Sequence, residues 1–412
     1  MPLFHAHTAA KVEGMSVYLL LTLPLVSGLI GWGTNALAIR MLFRPLEWVG
    51  LWRIGWRGVL PANAERMATI CVQLMTRHLL DVREVFARID PEKISELLSP
   101  ALEKHAAEIV ETTLSTRYPR LWESIPRRAR SNVQERVRAE IPEVIHKLMS
   151  ELREDLDRYL AVEALVIQAF VGNRALLNEL FWNCGRSEFL FIARSGLIFG
   201  SLFGCAQAAV WSSTQPVWFL PLTGLLIGWL TNWIALKMVF EPQQARTLGP
   251  IRWQGLFLMR QAEVSDAYAA FFAERILHPK ALVDAVLRGP ATERLLMLLQ
   301  RYVEDSVDAA SGSARPIVNL AVGTAEWRSL KQDISRQLVD RVPGELDRVH
   351  QYTGEALALR EELTHKLREL PPDQFEQVLR PLFRQDEKTL IAVGAALGAV
   401  AGTIQWLLVG LN

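Results

Sequence analysis

Gly31-Trp32-Gly33-Thr34-Asn35-Ala36-Leu37-Ala38-Ile39-Arg40-Met41-Leu42-Phe43-Arg44-Pro45 closes an apolar run, and Gly228-Trp229-Leu230-Thr231-Asn232-Trp233-Ile234-Ala235-Leu236-Lys237-Met238-Val239-Phe240-Glu241-Pro242 closes another. The offset is 197 residues, and it also pairs Pro24 with Pro221 and Trp56-Arg57-Gly58 with Trp253-Gln254-Gly255. Each copy carries Thr-Asn inside the run, a cation five residues after the Asn, and a proline at which the helix stops. Two collinear copies in equivalent settings read as an internal duplication.

The runs themselves decide the class. No Asp, Glu, Lys or Arg occurs from Gly14 to Ile39, from Ser195 to Leu236, or from Thr389 to Asn412. About 20 apolar residues cross the ~30 Å of a bilayer's hydrocarbon. The first and last runs each hold one span. The middle run holds two, broken at Ser212-Ser213-Thr214-Gln215-Pro216. Between the runs, apolar residues recur at three- and four-residue spacing, as in Met67, Ile70, Cys71, Leu74 and Met75, and no stretch alternates with period two. Asp90-Pro91 reads as a helix start, and Pro119, Pro126 and Pro142 as punctuation.

The expected architecture is an all-α membrane protein: four transmembrane helices with two tandem-duplicated amphipathic helical domains. Residues 1–15 form an N-terminal tail, and 16–45 the first span with its motif. Residues 46–186 form helical domain 1, and 187–240 the second and third spans joined by a short hairpin. Residues 241–386 form helical domain 2, and 387–412 the fourth span. The tryptophan- and arginine-bearing Leu51–Gly58 stretch reads as a loop suited to a headgroup layer. Gly200, Gly204 and Gln207 align with Gly398, Gly402 and Gln405 at an offset of 198, so the repeating unit is span, domain, span, about 17–212 and 217–411. Two spans return the chain to its starting side, which gives both halves the same orientation. Cations flank the domain sides (Arg40, Arg44, Arg186, Lys237, Arg380, Lys388), and the opposite flanks hold only Lys11. By the positive-inside rule the domains face the cytoplasm. Ala36-Leu37-Ala38 resembles a signal-peptidase site, but the run is too long and its duplicate sits in mid-chain, so the first helix is expected to be retained.

Gly-Trp-x-Thr-Asn-x-x-Ala, Trp253-Gln254-Gly255-Leu256-Phe257, Phe191-Ile192-Ala193-Arg194-Ser195-Gly196 and Leu390-Ile391-Ala392-Val393-Gly394-Ala395 resemble the bacterial membrane-protein family catalogued as domain of unknown function 445. The resemblance implies an integral protein of the bacterial cytoplasmic membrane, with no catalytic residue or ligand to carry over. The two copies differ at Gly33 (Leu230) and Ala36 (Trp233).

Little in the chain points to chemistry. A net charge of +1 argues against nucleic acid as a partner. Three cysteines show no pairing pattern, His5 and His7 cannot complete a metal site alone, and no phosphate-binding loop, nucleophile elbow or zinc-protease motif occurs. No catalytic residue, metal site or cofactor is expected, and the chain reads as no enzyme. Membrane lipids are the expected partners, with other membrane or cytoplasmic proteins beside them.

The polar positions of the spans remain: Thr34, Asn35, Thr231 and Asn232, with Arg40, Lys237 and Arg194 near the span ends. They read as interhelical packing elements, with a polar floor for a solute path as the alternative. A pseudo-two-fold axis can bring Asn35 and Asn232 together. Gly200, Gly204, Gly394, Gly398 and Gly402 read as helix-packing faces. The leading function is a membrane-anchored scaffold or adaptor with lipid-contacting helical domains; the alternative is a lipid- or solute-handling transporter.

Overall fold

The computed structural model describes residues 2–51, 54–124, 126–214, 218–244, 246–248, 251–288, 292–311 and 323–410. Helix accounts for 88% of it. The chain begins with α1 (Pro2–Phe43), continuous through Pro24. Residues 2–15, expected as a tail, thus extend the first helix. A hairpin follows, β1 (Val49–Leu51) antiparallel to β2 (Ile54–Trp56), with Val49 opposite Trp56. The sequence reads this stretch as a loop, because three-residue strands carry no detectable periodicity. Next come α2 (Val59–Ala62), α3 (Ala64–His78), α4 (Val82–Phe86), α5 (Pro91–Arg117), α6 (Pro119–Ser124), α7 (Arg127–Glu154), α8 (Leu156–Tyr159), α9 (Val162–Gly172) and α10 (Arg174–Thr214). The chain continues with α11 (Phe219–Phe240), a hairpin of β3 (Arg246–Leu248) and β4 (Ile251–Trp253), α12 (Leu256–Met259) and α13 (Gln261–Phe271), which runs into a π-helical turn at Phe272–Ile276. It continues with α14 (Pro279–Arg288), α15 (Thr292–Ser311), α16 (Thr324–Glu345), α17 (Asp347–Leu357), α18 (Leu359–Glu369) and α19 (Pro372–Gly410).

Local chemistry sets several boundaries. Asp81 caps α4 by accepting from the Arg83 and Glu84 amides, and Asp90 caps α5 by accepting from Glu92, with Pro91 in the first turn. Pro142, expected as punctuation, lies inside α7. An internal proline costs ~3 kcal/mol of helix propensity, and burial of the face formed by Ile141, Val144, Ile145 and Met149 outweighs it.

The contacts divide the chain into two compact units. One comprises Met1–Leu79, Ile167–Phe271 and Leu363–Asn412; the other comprises Leu80–Val166 and Phe272–Glu362. The first holds four segments long and apolar enough to cross a membrane: Leu23–Phe43, Arg174–Val210, Phe219–Phe240 and Glu387–Leu407. Within it α1 packs on α10 and α11 on α19, with further contact between α10 and α11 and between α1 and α19. Large apolar side chains on these helices stand exposed, among them Leu25, Ile198, Leu202, Val400 and Ile404. That is the surface a lipid solvent accepts.

The second unit draws on both stretches expected as separate helical domains. α5 packs on α7, α7 on α15, α15 on α16, and α16 back on α5, closing a ring of four long helices. Polar ties cross the α5–α16 seam: Tyr118 donates to Glu326 at 2.6 Å, Arg117 pairs with Asp333, and His105 bonds Glu345 at 2.9 Å. The His105 bond holds the Glu345 carboxyl below its usual range. The ring encloses a cavity of about 220 Å³ lined almost wholly by apolar side chains.

Candidate functional site

Glycines bring α1 and α10 into backbone contact. A methyl group added at Gly31 would lie 2.3 Å from the Gly196 carbonyl oxygen; one at Gly196 would lie 2.4 Å from that of Gly31. Gly200 faces the Ser27 carbonyl, and Gly204 faces Pro24 and Ser27. The contacts between α11 and α19 match these position for position. A methyl added at Gly228 would lie 2.2 Å from the Gly394 carbonyl oxygen, one at Gly398 2.3 Å from that of Gly224, and one at Gly402 2.3 Å from that of Leu220. All five glycines singled out in the sequence therefore sit in helix contacts, as do Gly31, Gly196, Gly224 and Gly228. Gly28 is as closely packed, its added methyl falling 2.2 Å from the Ser201 Oγ.

This close approach positions the two asparagines. Asn35 is fully buried, and its Nδ2 donates to the Ile192 carbonyl at 2.8 Å. Asn232 is buried equally well and donates to the Leu390 carbonyl at 2.9 Å. A methyl at Gly196 would fall 2.7 Å from the Asn35 Nδ2, and one at Gly394 2.0 Å from that of Asn232. The glycine opposite each asparagine is what admits the amide. Each asparagine thus ties its own helix pair, rather than bonding its counterpart as the pseudo-symmetry had allowed. The Oδ1 atoms of both are buried, with no hydrogen-bond partner among the described residues.

The other expected positions separate. Thr34 and Thr231 are buried but donate backwards along their own helices, to the carbonyls of Gly31 at 3.1 Å and Ile227 at 2.8 Å. Arg40 and Arg194 are exposed. Lys237 is exposed as well, 5.0 Å from the centre of the Trp233 ring and 3.6 Å from the Glu241 carboxylate. Sequence reasoning missed a polar bridge: Ser27 donates to Gln207 at 3.1 Å, and Gln207 donates to Thr223 at 2.9 Å, linking α1, α10 and α11. Uncharged side chains in uncharged runs give no signal of such a link. It also missed Glu188, buried on α10, which accepts two bonds from the Arg260 guanidinium at 2.8 and 2.9 Å.

Burial pushes the Cys71 thiol up, so it stays protonated at neutral pH, and burial raises Tyr268 likewise. Among the described residues no three His, Cys, Asp or Glu side chains converge as metal ligands would. A void of about 20 Å³ is lined by Ile192, Leu390, Phe189, Phe240, Leu236 and Glu188, among others. It has room for a water molecule and not for a solute.

The family model for DUF445, described as a protein of unknown function, matches residues 25–169. That range takes in the first Thr-Asn motif, and it is the family the sequence resembles. A UPF0754 membrane protein of Synechococcus elongatus is 33% identical over 138 residues, covering 28% of this chain. The match spans about a third (34%) of that relative's length. A UPF0754 membrane protein of Exiguobacterium sibiricum is 28% identical over 110 residues, 26% of this chain and 29% of the relative. One from Staphylococcus aureus is 18% identical over 397 residues, 95% of this chain and 98% of its own. The protein is a membrane protein.

Proposed function

We propose that the protein is a non-enzymatic scaffold of the cytoplasmic membrane, built from a duplicated span–helix–span unit, whose helical unit contacts lipids and partner proteins. The observation that carries this reading is the repeated Asn-to-carbonyl tie. Each span pair is closed by glycine-to-backbone contact and fastened by one buried amide. The equivalent contacts at offsets of 197 and 198 residues support the duplication. Stretches 80–166 and 272–362 share one compact unit, which supports their lying on one side of the membrane, with two spans between them. The flanking cations support the cytoplasmic side. The unpaired Oδ1 atoms favour the second reading, a lipid- or solute-handling transporter, but the small apolar void beside the ties argues for packing.

Asn35→Leu and Asn232→Leu separate the two. Each substitution removes an interhelical bond contributing ~0.6–2 kcal/mol and should lower the thermal unfolding midpoint in detergent. Because the ties belong to different pairs, the double variant should show nearly additive losses. Any phenotype of deleting the gene should return only in proportion to the folded protein lost. Variants that accumulate and melt as wild type yet fail to complement would instead establish the transporter reading.

A further inference from the structure

The ring cavity of the second unit is lined almost wholly by apolar side chains. Its lining comes from all four ring helices, for example Leu98 and Leu102 on α5, Ile141 on α7, Leu299 on α15 and Leu338 on α16. Its polar lining residues are Glu140, Ser306 and Thr353, and the Thr353 hydroxyl is already spent on the Val349 carbonyl. A headgroup inside would lose its hydration without recovering hydrogen bonds, so the fitting occupant is hydrocarbon. An engineered apolar cavity of about 150 Å³ stays dry and takes up benzene; this one is larger, at about 220 Å³.

On α15 the cavity lining runs up to exposed side chains. Leu296 lines it and is yet 37% exposed, and its neighbour Met297 is 62% exposed. Among the described residues of this unit these are the exposed large hydrophobics. Met297 in turn borders a surface hollow of about 450 Å³ with Arg158, Tyr159, Arg294 and Arg301. On the other wall, Tyr159 of the hollow is followed directly by Leu160 of the lining. Cavity lining and cationic hollow are thus neighbours in sequence on both chain segments. Arg158 shares the Asp155 carboxylate at 3.0 Å, whereas neither Arg294 nor Arg301 forms an ion pair among the described residues. Three guanidiniums around a hollow fit a carboxylate or phosphate.

We propose that this unit binds an anionic amphiphile, its hydrocarbon chain in the ring cavity and its headgroup at Arg158, Arg294 and Arg301. The inference rests on the lipid-contacting part of the scaffold reading but uses no residue of the spans, so its failure and that of the asparagine ties are distinguishable. A fatty acid and a membrane phospholipid share this chemistry, and the test distinguishes them. Full-length protein in phosphatidylcholine nanodiscs is irradiated with one of three probes, each carrying a diazirine in its acyl chain: phosphatidylglycerol, a fatty acid or phosphatidylcholine. Cross-links are mapped by mass spectrometry. Labelling of lining residues such as Leu98, Ile141 and Leu299 by an anionic probe is the expected result, and the probe that labels more strongly identifies the source. R158Q/R294Q/R301Q should lower that labelling about tenfold or more, the loss of at least one charge-assisted bond, with helicity and unfolding midpoint unchanged. Should the triple variant misfold, R294Q and R301Q singly give the same comparison. Anionic probes that label only the spans would overturn the proposal. Cavity labelling that ignores the arginine substitutions, or is equal for phosphatidylcholine, would remove the headgroup site.

Discussion

Gly31 and Gly33 stand two residues apart in the same motif, and their surroundings assign them opposite tolerances. A methyl at Gly31 would drive into the Gly196 carbonyl, which is backbone and cannot step aside, whereas one at Gly33 would meet nothing within 4 Å. Gly31→Ala should therefore cost about 1–3 kcal/mol through overpacking. Gly33→Ala should be neutral, or stabilising by up to ~1 kcal/mol, through reduced freedom of the unfolded chain. Thermal unfolding of the two variants in one detergent reads the difference, and equal losses would mean that α1 and α10 do not approach through Gly31. The glycine rows were legible in the sequence because small residues recur every four positions. Which motif glycine touches a neighbour was not, since that depends on how each helix is rotated. The asparagines were legible as buried ties, while their acceptors, Ile192 and Leu390, were hidden because a backbone carbonyl has no sequence signature.

At the scale of elements, Glu188 and Arg260 show what an apolar run conceals. Glu188 lies seven residues before the uncharged stretch that begins at Ser195 and is only 4% exposed, yet Arg260, on the segment between α12 and α13, grips both carboxylate oxygens. Arg260→Met leaves that carboxylate buried and unpaired, a loss on the order of 3–5 kcal/mol. Glu188→Gln in the same background should recover part of it, because a neutral amide is far less costly to bury. Unfolding midpoints of the single and double variants measure the coupling; a double variant no better than Arg260→Met would show that Glu188 is not the reason Arg260 matters. Charge patterning could not have found this pair, whose members are 72 residues apart.

For the whole molecule, the sequence made the four apolar helices plain and divided the rest into helical domains 46–186 and 241–386. The structure instead shares one ring between residues 80–166 and 272–362. An amphipathic stripe announces that a face is buried, not which helix buries it. The seam that joins the halves, Arg117 to Asp333 and His105 to Glu345, is invisible to local spacing. In the proposed topology a shared ring requires both stretches to lie on the same side of the bilayer, which two intervening spans permit. The direct measurement is a reporter active only outside the cytoplasm, fused after residue 130, after residue 330 and after Asn412. The account predicts silence at 130 and 330 and activity after Asn412. Activity at both internal sites would reverse the orientation. Activity at one of them alone would contradict the same-side arrangement on which the scaffold rests.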